Sequence, residues 1–144
     1  MAFVSITRLH LASILVLPGF FIRSLSITKQ ACGAPGFVGG WVGNDSGWGF
    51  WTATVWESAD AMQAFSRSGA HSAAMPKLIG WCDEAALGHW EQADGTVPSA
   101  DVVYERMSRE GRLSKVSRPS ARQQAGVTVG SAKPRLARIL QPKA

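Results

Sequence analysis

His71 lies in the stretch SGAHSAAMPKLIGWC, four residues before Met75 and eleven before Cys82, among side chains that are nearly all small or apolar. An imidazole in such surroundings either satisfies one hydrogen bond inside a core or serves as a ligand or acid-base group near neutral pH. His10 and His89 could face one another if the first and last strands of a sheet are neighbours. No carboxylate stands at ligand spacing from them, so they do not read as a metal site. Cys82 adjoins Asp83 and Glu84 in GWCDEA, and their charge should raise the thiol pKa and blunt its reactivity. The two acids themselves read as a solvated turn. GFVGG and GNDSGWG are rich in glycine but lack the strand-to-helix setting of a phosphate cradle, and hairpin geometry explains them. The chain shows no nucleophile-base pair and no carboxylate dyad.

The elements that must position these groups can be read from periodicity. Phe3 to Leu11 alternates Phe3, Ser5, Thr7, Leu9 and Leu11 against Val4, Ile6, Arg8 and His10, a strand with one dry and one mixed face. Pro18 and Gly19 stand where a helix can begin, and Phe20, Phe21, Leu25 and Thr28 recur at helical spacing until Gly33 and Pro35. GFVGGWVG and GFWTATVW, joined by NDSGW, predict an antiparallel hairpin. Ser58 caps a helix over SADAMQAFSRSG that Gly69 ends, with Met62 and Phe65 on one face. A second helical piece follows, with Ser72 as its cap and Pro76 in or near its first turn. ALGHWEQ predicts a final strand.

Strand, helix, strand, strand, helix, helix, strand is the split βαβ order of an α+β, ferredoxin-like domain with one antiparallel sheet. Helices on one face leave the other bare, and several of Phe3, Trp41, Trp51, Val55 and Trp90 should occupy it, so the pattern predicts a partner. Most of the six tryptophans are therefore expected in core or interface.

Composition sets the outer bounds. The 144 residues are one domain's worth of chain, and 46% hydrophobic residues exclude disorder throughout. Cys32 and Cys82 form neither a disulfide framework nor a close metal-binding pair, which predicts a reduced, cytoplasmic setting. The apolar run between Leu11 and Ile22 is interrupted by Pro18 and Gly19 and falls short of the roughly 20 residues of a spanning helix. It also lacks a small-residue cleavage site before polar sequence, so it reads as core and not as a signal peptide or transmembrane segment. Charge is uneven: residues 1–105 hold five Lys or Arg and nine Asp or Glu, a net of −4, whereas residues 106–144 hold ten against Glu110 alone, a net of +9. Residues 119–144 carry three prolines and no aromatic residue, and they read as a basic, disordered tail after a domain spanning 1–118. Basic charge in a tail, not interleaved with aromatics over a surface, does not specify nucleic acid.

Four motifs carry a resemblance: FVSITRLHL, PGFVGGWV, FWTATVWESADAMQAF and SGAHSAAMPKLIGWCDEAALGHWEQ. Together they resemble the dimeric α/β barrel proteins, and within these the antibiotic-biosynthesis monooxygenase-like members; the fourth is similar to a narrower group distantly similar to spheroidene monooxygenase. The resemblance covers residues 1–118. It implies a homodimer closed through the bare sheet faces, a pocket between sheet and helices in each chain, and a monooxygenase-like oxidoreductase acting on a hydrophobic or aromatic small molecule. It implies two uses of His71. In one, His71 is the axial ligand of haem, with Phe65, Met75 and Leu78 supplying a dry pocket. In the other, no cofactor is present and His71 is a general base toward an acidic phenol or enol, with the same three residues binding substrate. Pro76 and Gly80 make the helix irregular for a ligand platform. A non-enzymatic module that binds haem or another small molecule in the same pocket is the alternative, since folds of this type serve both ends.

Overall fold

The computed structural model describes residues 1–143. Strand β1 (Ala2–Leu11) leads through a single 3-10 turn at Ile14–Val16 into helix α1 (Leu17–Cys32), and β2 (Phe37–Asn44) and β3 (Gly49–Trp56) form the expected hairpin. Helices α2 (Ala59–Ser66) and α3 (Gly69–Trp81) precede β4 (Cys82–Gln92). β1 is central, pairing antiparallel with β3 at Val4 and Val55 and with β4 at Val4 and Trp90. The order β4-β1-β3-β2 is that of two interleaved βαβ halves, so the fold is α+β and ferredoxin-like with an antiparallel sheet, as the element order predicts.

One face of this sheet carries Phe3, Phe37 and Trp56, and α1 and α2 close over it with Ala31, Cys32, Ala61, Met62 and Phe65. The opposite face carries Val4, Ile6, Trp41, Trp51, Ala53 and Val55. The sequence reading leaves that face bare for a partner, but the chain covers it itself with a further helix, α4 (Ala100–Glu110). Ser99 caps α4 by accepting from the Val102 N–H, Asp101 and Arg109 complement its dipole, and Val103 and Met107, one turn apart, are both 0% exposed against the tryptophans. Each such side chain contributes roughly 1.5–3 kcal/mol by leaving water. The buried indoles keep partners: Trp41 Nε1 donates to the Pro98 carbonyl at 2.8 Å and Trp51 Nε1 to Asp45 Oδ2 at 2.8 Å. Phe3 departs from the expected set, since it lies on the α1–α2 side.

The segment read as a disordered tail is built into the fold. After a short β5 (Arg112–Leu113) on the edge of β4 and helix α5 (Ala121–Gln124), strand β6 (Arg135–Leu140) pairs with β2, giving the full order β5-β4-β1-β3-β2-β6. The force is in the backbone: without β6, the edge of β2 presents unpaired N–H and C=O groups, a demand that the tail's own side-chain pattern does not display. Gly43 makes the pairing close, for a Cβ there would overlap the Arg135 carbonyl. Leu140 is buried, Arg138 Nη2 donates to Thr28 Oγ1 at 2.7 Å, and the Lys143 N–H donates to the Cys32 carbonyl. Helix α3 also departs from expectation. It starts at Gly69 after Ser68, not at Ser72, and Pro76 sits in its interior. The carbonyl of Ser72, which Pro76 cannot serve, lies on an exposed turn.

Candidate functional site

His71 stands in the first turn of α3, and its position is determined by the junction of three helices. Its main-chain N–H donates to Gln30 Oε1 of α1 at 2.8 Å, while Gln30 Nε2 donates to the carbonyls of Phe65 and Ser68 at 3.1 and 2.8 Å. His71 Nδ1 lies 2.9 Å from the Ser66 carbonyl, one of the unpaired carbonyls at the end of α2. A carbonyl only accepts, so Nδ1 carries the proton and the neutral ring keeps its Nε2 lone pair uncommitted. Burial pushes the imidazole pKa below its ordinary value, against the Ser66 carbonyl, which favours the charged form. The ring packs on Phe65 at 5.0 Å between centroids, Phe65 on Trp56 at 4.9 Å, and Trp56 on Phe37 at 5.2 Å, a row of aromatics running from helix junction to sheet.

Of the other expected pocket residues, Phe65 is beside His71, whereas Met75 and Leu78 follow one and two turns further along α3. Phe65 also forms part of the wall of an open cleft of about 450 Å³ between the end of α1 and α2, with Gln30, Glu57 and Ser68 as its polar groups. His71, Met75 and Leu78 are not in that wall. Haem, which needs an enclosed apolar slot against its ligand, does not fit this arrangement. Met75 is 38% exposed, and the turn bearing His71 is tied to α1 through Gln30.

A second polar centre escaped the sequence reading. Arg8, 3% exposed on the α4 face of β1, donates from Nε to Asp45 Oδ2 at 2.9 Å and from Nη1 to Glu84 Oε1 at 2.8 Å. Asp45 Oδ1 also accepts from the Gly47 and Gly49 N–H groups, tying the β2–β3 turn to the cluster, and Ser120 Oγ donates to Glu84 Oε2. Burial alone would raise both carboxyls, but the bonds from Arg8, with those from Trp51 and Ser120, outweigh it and hold them below the usual carboxylate range. The reading of Asp83 and Glu84 as a solvated turn is thus overturned: both lie in β4 and Glu84 is buried. An arginine following Val4 and Ile6 on the same face of β1 was the available signal, since a charge on such a face demands carboxylates from elsewhere in the chain.

His10 and His89 do not meet. His10 Nδ1 is 2.6 Å from Asp83 Oδ1, and His89 packs on Phe3 at 5.4 Å. Pairing across strands supplies His10 with the carboxylates that local spacing lacks, and its ring, Asp83 and Glu84 place ligand atoms within 4.8 Å of one another. Both Glu84 oxygens are already committed to Arg8 and Ser120, and Asp83 is paired with His10, so the three groups are held by partners within the chain. Cys82 is 1% exposed, and burial, with Asp83 beside it, pushes its thiol up to about 12, which makes it inert as expected.

This geometry can be set beside known proteins. No protein-family model matches the chain, and no curated protein matches it. Among solved structures, a monooxygenase candidate from Lactobacillus acidophilus is similar at 9% identity with a TM-score of 0.60, over 97% of this chain and 96% of that one. An antibiotic biosynthesis monooxygenase candidate from Nitrosomonas europaea matches at 10% identity and a TM-score of 0.57, covering 64% of this chain and 99% of that one. A variant of SnoaB, a cofactor-independent oxygenase from Streptomyces nogalater, matches at 14% identity and 0.55, covering 68% and 98%. The chain therefore has the fold of antibiotic biosynthesis monooxygenase and dimeric α/β barrel structures. No helix among the described residues is long and apolar enough to cross a membrane.

Proposed function

We propose that the chain is a monooxygenase-like oxidoreductase that works without a resident cofactor, with His71 as general base toward a hydrophobic or aromatic phenol or enol. The observation that carries this reading is the state of His71. Nδ1–H is held by the Ser66 carbonyl, burial favours the neutral ring, and Nε2 keeps its lone pair while the ring packs on Phe65. Phe65 is one wall for an aromatic substrate, and Met75 and Leu78 continue the His71 stripe of α3 at helical spacing. Removal of a proton by Nε2 leaves an electron-rich anion that dioxygen can oxidise. For a benzylic CH2 group the sum is CH2 plus O2 to C=O plus H2O, which balances without an external reductant. The fold likeness to a cofactor-independent oxygenase supports this reading at the level of fold.

The test is oxygen uptake by the purified, metal-free protein against a panel of electron-rich phenols and anthrone-type ketones. Because proton abstraction requires the neutral imidazole and burial lowers its pKa, the acid limb of the rate should lie below the ordinary imidazole range. His71→Ala should remove at least 100-fold of the rate, the usual scale of a general base. Uptake that survives His71→Ala, or none across the panel, overturns the proposal. The bonds joining His71 and Gln30 to α1 and α2 favour a second reading, a binding module in which His71 is structural. In that case His71→Ala costs about 1–3 kcal/mol of stability and no turnover is found at all.

A further inference from the structure

We propose that the outer face of α1, the 3-10 turn before it and the groove between α1 and α3 form a docking site for an anionic lipid surface. The face is apolar where a solvated helix should be polar. Ile14 and Leu15 in the turn are 71% and 87% exposed, and Phe21, Ile22 and Leu25 are 52%, 67% and 55% exposed. Pro18, Phe21, Ile22, Leu25 and Lys29 recur at the spacing of a single helical stripe, all outward, while Phe20, Thr28 and Ala31 take the inward face. Single exposed apolar residues are ordinary, but five large ones on one turn and one stripe are not. Trp48, 64% exposed in the β2–β3 turn, belongs to the same end of the molecule. Its neighbour Gly49 pairs with His10 near the end of β1, and Phe50 packs on Phe20 and Phe21 at 4.8 and 6.1 Å.

Beside this crest lies an open groove of about 410 Å³ whose wall includes Ile22, Arg23, Ser26, Lys77 and Trp81. Gly19 allows α1 to approach α3 here, for a Cβ would stand 3.0 Å from the Trp81 ring. The groove thus presents two cations and a hydroxyl above an apolar floor. Neither Arg23 nor Lys77 is in an ion pair among the described residues.

Charge selects the occupant. Residues 1–44 contain no Asp or Glu, and neither do residues 61–82, so α1 and α3, which wall the groove, hold Arg23, Lys29 and Lys77 without an acid of their own. A second copy of the chain meeting this face symmetrically would set these cations against themselves. A nucleic acid would gain the cations but leave the apolar crest without a partner. An anionic bilayer satisfies both, with phosphate at Arg23 and Lys77 and acyl chains against Leu15, Phe21, Ile22 and Leu25.

The experiment is co-sedimentation of the full chain with vesicles of equimolar phosphatidylcholine and phosphatidylglycerol, beside vesicles of phosphatidylcholine alone, at low and high salt. Binding should require phosphatidylglycerol, weaken with salt and shift tryptophan emission to the blue. Arg23→Gln with Lys77→Gln should weaken it about thirty-fold, at the scale of two basic residues near a charged surface. Ile22→Ser with Leu25→Ser should abolish the emission shift while melting as the parent does, and Leu15→Ser, at the most exposed apolar side chain, replaces that pair if its fold is lost. Absence of binding to the anionic vesicles overturns the proposal, as does unchanged binding by the double variants. Thermal stabilisation by inorganic phosphate without vesicle binding would reassign the groove to a soluble anion and overturn it. So would self-association abolished by Ile22→Ser in a chain that ignores vesicles. None of these readouts involves His71, so the docking site and the catalytic reading fail independently.

Discussion

At the scale of single residues, the largest electrostatic commitment in the molecule is Arg8, and its role follows from where the strand places it. A guanidinium 3% exposed between two carboxylates is stable only while all three remain charged. Arg8→Leu leaves Asp45 and Glu84 buried without their cation and should cost about 3–5 kcal/mol in urea unfolding. Adding Asp45→Asn and Glu84→Gln should recover only part of it, because Asp45 accepts solely from N–H groups and the amide NH2 must face either Gly47 and Gly49 or Trp51. Because both carboxyls are held below their ordinary pKa, their contribution is complete above the unfolded carboxylate range and is lost as pH falls through the folded values. His71 acts in the same direction: its lowered pKa means that the unfolded chain takes up that proton first, so loss begins just below the ordinary imidazole value. The melting temperature should therefore be flat from neutrality to the ordinary thiol range, decline above it as the unfolded chain gives up the Cys82 proton that the fold retains, decline gently below neutrality and fall steeply in acid. The Arg8→Leu variant with both acids neutralised should lack the steep part.

Elements explain why the C-terminal segment matters. Glu84 takes a bond from Ser120, and Gln123 accepts from the Ala85 N–H while donating to the Ser114 carbonyl, so α5 secures the start of β4. β6 closes the edge of β2 and buries Leu140. A chain ending after Arg118 loses all of these and should melt well below the parent, and it should aggregate through the freed β2 edge. Ending after Lys133 removes β6 but keeps α5, and should cost less, with burial of Leu140 accounting for roughly 1.5–3 kcal/mol. Thermal unfolding followed by circular dichroism and light scattering distinguishes them. Equal melting of all three chains would show that β6 adds nothing to stability.

Considered as a whole molecule, the chain is a sheet with a helical layer on each face, and this alters the argument for a homodimer. That expectation rested on an uncovered Trp41–Trp51 face, which Val103 and Met107 of α4 now fill. Sedimentation equilibrium at micromolar concentration should accordingly return the 15.4 kDa of one chain. Val103→Asp, which forces a charge into that layer, should unseat α4 and drive self-association through the exposed tryptophans. A parent chain at twice that mass would mean that a surface other than this face joins the copies.

The sequence alone determined what depends on local pattern. Alternation placed β1, aromatic runs around NDSGW placed the hairpin, the Ser58 cap placed α2, and their order defined the ferredoxin-like topology, because periodicity and capping act between near neighbours. His71 stood out by its apolar setting, and the roles given to it and to Phe65 came from the family resemblance of their motifs. Helix α4 was legible as well, since Ser99, Asp101, Val103 and Met107 repeat the cap and one-turn apolar spacing that marked α2. Tertiary structure decided the rest, as long-range demands. The Arg8 cluster joins residues 37 and 76 positions apart, and β6 answers an edge created about a hundred residues earlier. Whether His71 keeps a free nitrogen depended on the Ser66 carbonyl being turned toward Nδ1, and α4 lay over the tryptophans because that face had no other cover. Such pairings leave little trace in local periodicity, since the chain must fold before the unsatisfied groups and their partners are neighbours.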